Sequence, residues 1–252
     1  MSDHTPTVQD DRAIAGPVLV TGAGSELAQA LLRRLMDEGT PVLGACQSAG
    51  GLAAATRSGV PCAALDAPED LPGLCERHFG RPPACYVDTA HSRLEGLVAQ
   101  VAPDAVDRWA REDIALRARR LAAVTRAMLA ARHGRCLFIS SAAADRAAPG
   151  QGYYAAAKLA GEALFTSAGL ELGARGVTAC CLRLGWLDCG RGREFLARRP
   201  GEAEQLIPTR RLVTVAEAVE AMRFLLTKAA LSFNATTLTL DGGFGATKPF
   251  LK

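Results

Sequence analysis

The chain has 252 residues, 49% of them hydrophobic and 22% charged, with a formal net charge of +3. That length suits one domain with a sizeable core, and the composition is that of an ordinary soluble globular protein. A charge so small and scattered argues against nucleic acid or an anionic membrane surface as a partner, and no apolar run approaches the length that spans a bilayer.

The polar start predicts no signal peptide, and hence a cytoplasmic protein. The eight cysteines (Cys46, Cys62, Cys75, Cys85, Cys136, Cys180, Cys181, Cys189) show no Cys-x-x-Cys spacing and mostly fall in apolar runs. They read as small buried hydrophobes in a reducing compartment, and no metal site is expected.

Residues 1–15 are polar and aperiodic and predict a disordered leader ahead of one domain over 16–252. The run Pro-Val-Leu-Val-Thr at 17–21 predicts the first strand; it ends in Gly22-Ala23-Gly24, and a helical run begins at Glu26. Strand, Gly-rich turn and helix in that order form a dinucleotide-binding opening, in which the helix N-terminus faces a pyrophosphate and the glycines let the backbone come close. Residues 41–48 predict a second strand, whose end carries Cys46 and Gln47. An acid there would hold a ribose 2′-hydroxyl, so its absence leans toward NADP over NAD. Third and fourth strands are expected at 62–66, ending in Asp66, and at 84–87, leading into Asp88-Thr89-Ala90-His91, where His91 reads as a solvated loop residue. Residues 106–132 are helical in period, with Ile114, Leu116, Leu121, Val124, Met128 and Leu129 as buried positions and arginines between them.

The apolar run 136–140 predicts a buried strand with Ser141 at its carboxyl end, where open α/β sheets place their ligand-handling groups. An Ala-rich helix follows from Tyr154, so Tyr154 and Lys158 stand one above the other on one face. An ammonium beside a phenol favours the phenolate, which makes Tyr154 a general acid/base near neutral pH. Further strands are expected at 176–184 and 237–240, with a helix over 215–228 between them. Seven strand-like runs alternating with helices imply an α/β fold: a single-domain, Rossmann-like, doubly wound parallel sheet with helices on both faces.

Ser141, Tyr154 thirteen residues later and Lys158 four after that, behind a dinucleotide-like opening, resemble the short-chain dehydrogenase/reductase family, and the resemblance covers almost the whole chain. It implies that Ser141 orients a substrate carbonyl or alcohol, that Tyr154 passes the proton, and that Lys158 lowers the tyrosine pKa and holds the nicotinamide ribose. Asp113 falls where many members carry an Asn that holds a water linking the lysine to bulk solvent; as an aspartate it is expected to pair with Lys158. Cofactor contacts are implied at Thr21, Gly22, Gly24, Ser25, Leu27, Asp66, Ala90, Tyr154, Lys158, Gly185 and Leu187, with residues 190–207 as a substrate lid.

Several positions depart from the family pattern. Glu26 and Ala28 replace the second and third glycines of Thr-Gly-x-x-x-Gly-x-Gly, Asp88-Thr89-Ala90-His91 replaces Asn-Asn-Ala-Gly, and Leu184 and Cys189 replace the Pro and Thr of Pro-Gly-x-Ile-x-Thr. Glu26 places a carboxylate on the phosphate loop, unfavourable unless its side chain turns outward. NADP or NAD is thus the implied cofactor, with weakened or lost binding left open.

The overall pattern is most like bacterial 3-oxoacyl-thioester reductases. That implies reduction of a ketone or 3-oxoacyl thioester, or oxidation of the matching alcohol, by a homo- or hetero-oligomer, dimer or tetramer. Arg132 and Arg175 match positions that dock an acyl carrier protein in those enzymes. Two other readings stay open: a redox-silent subunit that pairs with an active dehydrogenase, and an isomerase or dehydratase that keeps Tyr154 as a base without nicotinamide.

Overall fold

Alternation along the strands divides the molecule into layers. In β1 (Val18–Thr21), Val18 and Val20 enter one hydrophobic core while Leu19 enters the other. The same division separates Leu137 and Ile139 from Cys136 and Phe138, and Cys180 and Leu182 from Ala179 and Cys181. Strands buried on both faces must be covered on both. One face receives α1 (Glu26–Asp37) and α9 (Val215–Leu225), with Ala55 of α2 (Ala49–Arg57). The other receives α3 (Leu71–Phe79), α5 (Leu116–Ala131) and α6 (Gly152–Leu172).

This computed structural model describes residues 11–247 except Arg93, and of Pro68 and Arg191 the backbone alone. Residues 1–10 of the expected leader lie outside the described residues. The remaining strands are β2 (Val42–Cys46), β3 (Cys62–Ala64), β4 (Cys85–Asp88), β5 (Gly134–Ser141), β6 (Val177–Leu184) and β7 (Thr236–Leu240). All pair in parallel, as the sequence predicts, and the order is β3-β2-β1-β4-β5-β6-β7. The order reverses between β1 and β4, which opens a crevice over the carboxyl ends of the strands. α6 lies close on β5 because Gly161 has no side chain: a Cβ there would collide with the Phe138 ring.

The helix expected over 106–132 is broken. α4 (Pro103–Trp109) passes through a π-helical turn, Ala110–Ala115, before α5 begins. Such a turn inserts an extra residue and rotates the helix beyond it. Ile114 and Leu129 are only half-buried, whereas Arg117 and Arg120, which read as spacers between apolar positions, are buried four positions before Leu121 and Val124 on the same face of α5. Residues 190–207 form two short helices, α7 (Gly190–Arg198) and α8 (Glu202–Leu206). Among the described residues, no helix is long and apolar enough to cross a membrane.

Candidate active site

A cleft of about 1390 Å³ lies over the carboxyl ends of the strands. Its walls include Thr21, Gly22, Gly24, Ser25 and Leu27, then Ala90, Ser141, Tyr154, Lys158, Gly185 and Leu187, so these predicted positions converge on one space. Two do not reach it. Asp66 is exposed next to Leu65, which forms the wall there, and Asp113 is buried behind the cleft.

At one end of the cleft stands the start of α1. Ser25 caps it, its hydroxyl accepting from the Ala28 N–H at 3.3 Å. The first-turn amides of a helix have no intrahelical acceptor, and they form a ready site for an anion. Gly24 lets this turn approach α2, since a Cβ would lie 2.6 Å from Gly51 Cα. A dinucleotide fits this donor set, provided the Glu26 charge is accounted for. It is: the Glu26 carboxylate turns outward into a two-pronged ion pair with Arg193 of α7, at 3.0 and 2.9 Å, and Arg193 also donates to Asp188 at 3.1 Å. Arg193 therefore offsets the negative charge and ties the 190–207 segment to the phosphate end of the cleft. Cys189, in the place of a family threonine, caps α7 with no side-chain hydrogen bond, and burial pushes its thiol up.

At the other end, β5 delivers Ser141 and α6 delivers Tyr154 and Lys158. The Ser141 hydroxyl accepts from the Ala143 N–H at 3.2 Å and hydrogen-bonds Tyr154. Lys158 Nζ lies 5.5 Å from the Tyr154 ring centroid and donates to the Ile139 carbonyl at 2.8 Å. His91, expected to be merely solvated, packs edge-on against Tyr154 with centroids 5.9 Å apart. Behind Ser141, the neighbouring Ser140 donates to Glu162, which Arg183 grips through two bonds of 2.7 Å while also reaching Asp145. This brace fixes the end of β5 and the turn beyond it.

Burial dominates the electrostatics around Tyr154 and Lys158. Burial pushes the Tyr154 phenol up, opposed by its bond to Ser141. Lys158 is itself lowered to about 7, first by burial and then by the Arg117 cation, with Asp88 and Asp113 pulling the other way. Asp113 does not pair with Lys158. It accepts from the Ser92 N–H at 2.8 Å and faces Arg117 at 3.7 Å. The Arg117 guanidinium, 1% exposed, also bonds Asp88 and the Asp113, Ala157 and Ala90 carbonyls. Both cations lie over the Phe138 ring, Arg117 Cζ 4.9 Å and Lys158 Nζ 5.1 Å from its centroid. Arg117 thus takes the Asp113 backbone carbonyl at the position where the resemblance implies a water-holding Asn.

A lysine depressed in the fold binds its proton more weakly than in the unfolded chain, whose value is about 10.4. Between pH 7 and that value the unfolded state holds more protons, so stability rises with pH. The gap in urea-unfolding free energy between the native protein and Lys158→Met is expected to move in the native protein's favour by about 2 kcal/mol from pH 7 to 9. A pH-independent gap would show that Lys158 keeps an ordinary pKa.

The chain is similar to known proteins over most of its length. A family model described as enoyl-(acyl carrier protein) reductase matches residues 75–245. The 3-oxoacyl-[acyl-carrier-protein] reductase MabA of Mycobacterium tuberculosis is 26% identical over 92% of this chain and 94% of its own length. The 3-oxoacyl-[acyl-carrier-protein] reductase FabG of Pseudomonas aeruginosa is 28% identical over 89% of this chain and 95% of its own. In fold, the chain is similar to levodione reductase, with a TM-score of 0.81 at 22% identity over 92% of this chain and 98% of that one. A gluconate 5-dehydrogenase from Burkholderia cenocepacia, solved with NADP and tartrate, gives a TM-score of 0.82 at 22% identity over 94% and 98%. Since the matched family model spans more than half of the sequence and its curated relatives align end to end, the chain belongs to the short-chain dehydrogenase/reductase family, a class of NAD(P)-dependent oxidoreductases.

Proposed function

We propose that this oxidoreductase reduces a ketone of the 3-oxoacyl-thioester class with NADPH, and oxidises the matching alcohol in reverse. The observation that carries the reading is Tyr154, a phenol that burial holds protonated and whose hydroxyl meets Ser141 at the edge of the cleft, with Lys158 beneath its ring. A protonated phenol is the acid that carbonyl reduction requires. The nicotinamide supplies the hydride when bound. The residues supply the rest: Ser141 holds the carbonyl oxygen, Tyr154 gives it a proton as the alcohol forms, and Lys158 restores the tyrosine's charge balance. Ser25 and the first-turn amides of α1 hold the pyrophosphate, while Ala90, Gly185 and Leu187 wall the nucleotide.

In the same reading, residues 190–207 are the substrate lid, tied at its base by Arg193, with Phe195, Arg199 and Leu206 facing the cleft. The curated relatives' names support an acyl-thioester substrate. Arg132 and Arg175 are exposed just before Gly134 and Gly176, whose backbones bond at 3.1 Å. That site is at the amino ends of β5 and β6, away from the cleft. An acidic acyl carrier protein docked there would serve a neighbouring subunit of a dimer or tetramer. Free cysteines at all eight positions support a reducing, cytoplasmic setting.

Titration with NADPH and NADH, followed by nicotinamide fluorescence, and turnover of an acetoacetyl thioester test the reading together. Micromolar binding with thioester reduction is expected. No binding at millimolar concentration by folded protein would replace it with the redox-silent subunit.

A further inference from the structure

The end of β2 is where this fold reads the ribose 2′ position, through an acid for the hydroxyl or an arginine for the phosphate. Here that position is Gln47, exposed on the cleft wall, followed by Ser48, whose hydroxyl caps α2 by accepting from the Gly51 N–H at 3.1 Å. Behind Gln47, from α5, comes Arg120. It lines the same end of the cleft yet is only 3% exposed. Its Nη2 donates to Gln47 Oε1, and its Nε is buried with no hydrogen-bond partner. Among the described residues, no carboxylate lies within ion-pair distance of it. A buried cation without a countercharge is costly, which points to an anion supplied from outside the chain.

The pairing also fixes which way the Gln47 amide faces. A guanidinium has donors and no acceptor, so the amide oxygen must face Arg120. The amide nitrogen is then left to the cleft with its two N–H groups. A donor face backed by a positive charge suits a phosphate ester better than a hydroxyl that would also seek an acceptor.

We propose that Gln47, held in this orientation by Arg120, selects a dinucleotide bearing a 2′-phosphate over one bearing a 2′-hydroxyl. The inference rests on the oxidoreductase reading above for its ligand but not for its chemistry. Gln47 touches the phosphate; Arg120 is a positioning residue that also supplies field. Helix α5 thereby takes over a discrimination that this fold usually builds into β2 and its loop.

Two nucleotide pairs test it: NADPH against NADH, and adenosine 2′,5′-bisphosphate against 5′-AMP, each titrated into the native protein, Arg120→Met and Gln47→Glu. The native protein is expected to prefer the 2′-phosphorylated member of both pairs by about tenfold or more, the worth of a charge-assisted hydrogen bond. Arg120→Met should lose about that factor for the 2′-phosphorylated ligands and leave NADH and 5′-AMP unchanged. Gln47→Glu, on an exposed residue that folding does not depend on, should reverse the preference, because a carboxylate accepts from the 2′-hydroxyl and repels the phosphate. Equal affinity for bisphosphate and 5′-AMP in the native protein overturns the inference, as does a variant that weakens both members of a pair alike. If neither dinucleotide binds while the bisphosphate is still preferred, the subsite stands and the oxidoreductase reading falls.

Discussion

Tyr154→Phe is expected to lower kcat for thioester reduction by about 10²- to 10⁴-fold, the range that a positioned proton donor contributes, while leaving the fold and nucleotide affinity intact. The phenylalanine ring keeps the edge contact with His91 and its place over Lys158, so the packing changes by one oxygen. What disappears is the proton that burial keeps on Tyr154 and the hydrogen bond to Ser141. The loss should fall on kcat rather than on KM, because the hydroxyl's proton matters most as negative charge develops on the carbonyl oxygen. NADPH consumption under saturating substrate, with a thermal melt as the folding control, measures it. Activity within a few-fold of the native protein would remove Tyr154 from proton transfer and leave His91, which packs against its ring at the cleft, as the one to examine.

The parts of this architecture written in short-range pattern were legible. Val18-Leu19-Val20-Thr21 followed by glycine and an Ala/Leu-rich run specifies strand, turn and helix locally, and each of the other strands announces itself by a similar run. Ser141, Tyr154 and Lys158 were legible because they sit on one strand end and one helix turn. Electrostatics was not, because it depends on burial and on distant partners. The reading of Tyr154 beside an ammonium saw the charge but not the desolvation that opposes it. The outward turn of Glu26 rests on Arg193, 167 positions away. Arg117, Arg119, Arg120 and Arg126 look alike in sequence, yet the first and third are buried and the others exposed: Arg117 and Arg120 stand four positions before Leu121 and Val124 on the inward face of α5, and Arg119 and Arg126, seven apart, on the outward one. One signal was present: Asp113 and Arg117 stand four apart, the spacing of a helical ion pair.

That pair sets the second large effect. Arg117→Met should destabilise the protein by about 3–5 kcal/mol, the cost of stripping one partner from a buried ionic network. The loss is so large because two carboxylates share the cation: Asp88 at 0% exposure, and Asp113 at 2%. Asp88 would keep its bonds from Thr21 Oγ1 at 3.0 Å and the Ala90 N–H at 2.9 Å, and Asp113 its bond from Ser92, but neither would retain a balancing charge nearby except Lys158. The lysine should respond. With the Arg117 repulsion gone and both carboxylates still present, its ammonium is favoured, and the stability gained between pH 7 and 9 should shrink. If desolvated charge is the cause, neutralising all three groups together as Asp88→Asn, Asp113→Asn and Arg117→Met should recover most of the lost stability, since a buried ionic set exchanged for uncharged groups is often neutral. Urea unfolding of the single and triple variants decides it. A triple variant no better than Arg117→Met would assign the loss instead to the carbonyls of Ala90, Asp113 and Ala157, which the guanidinium gathers at the back of the cleft and an amide pair does not replace.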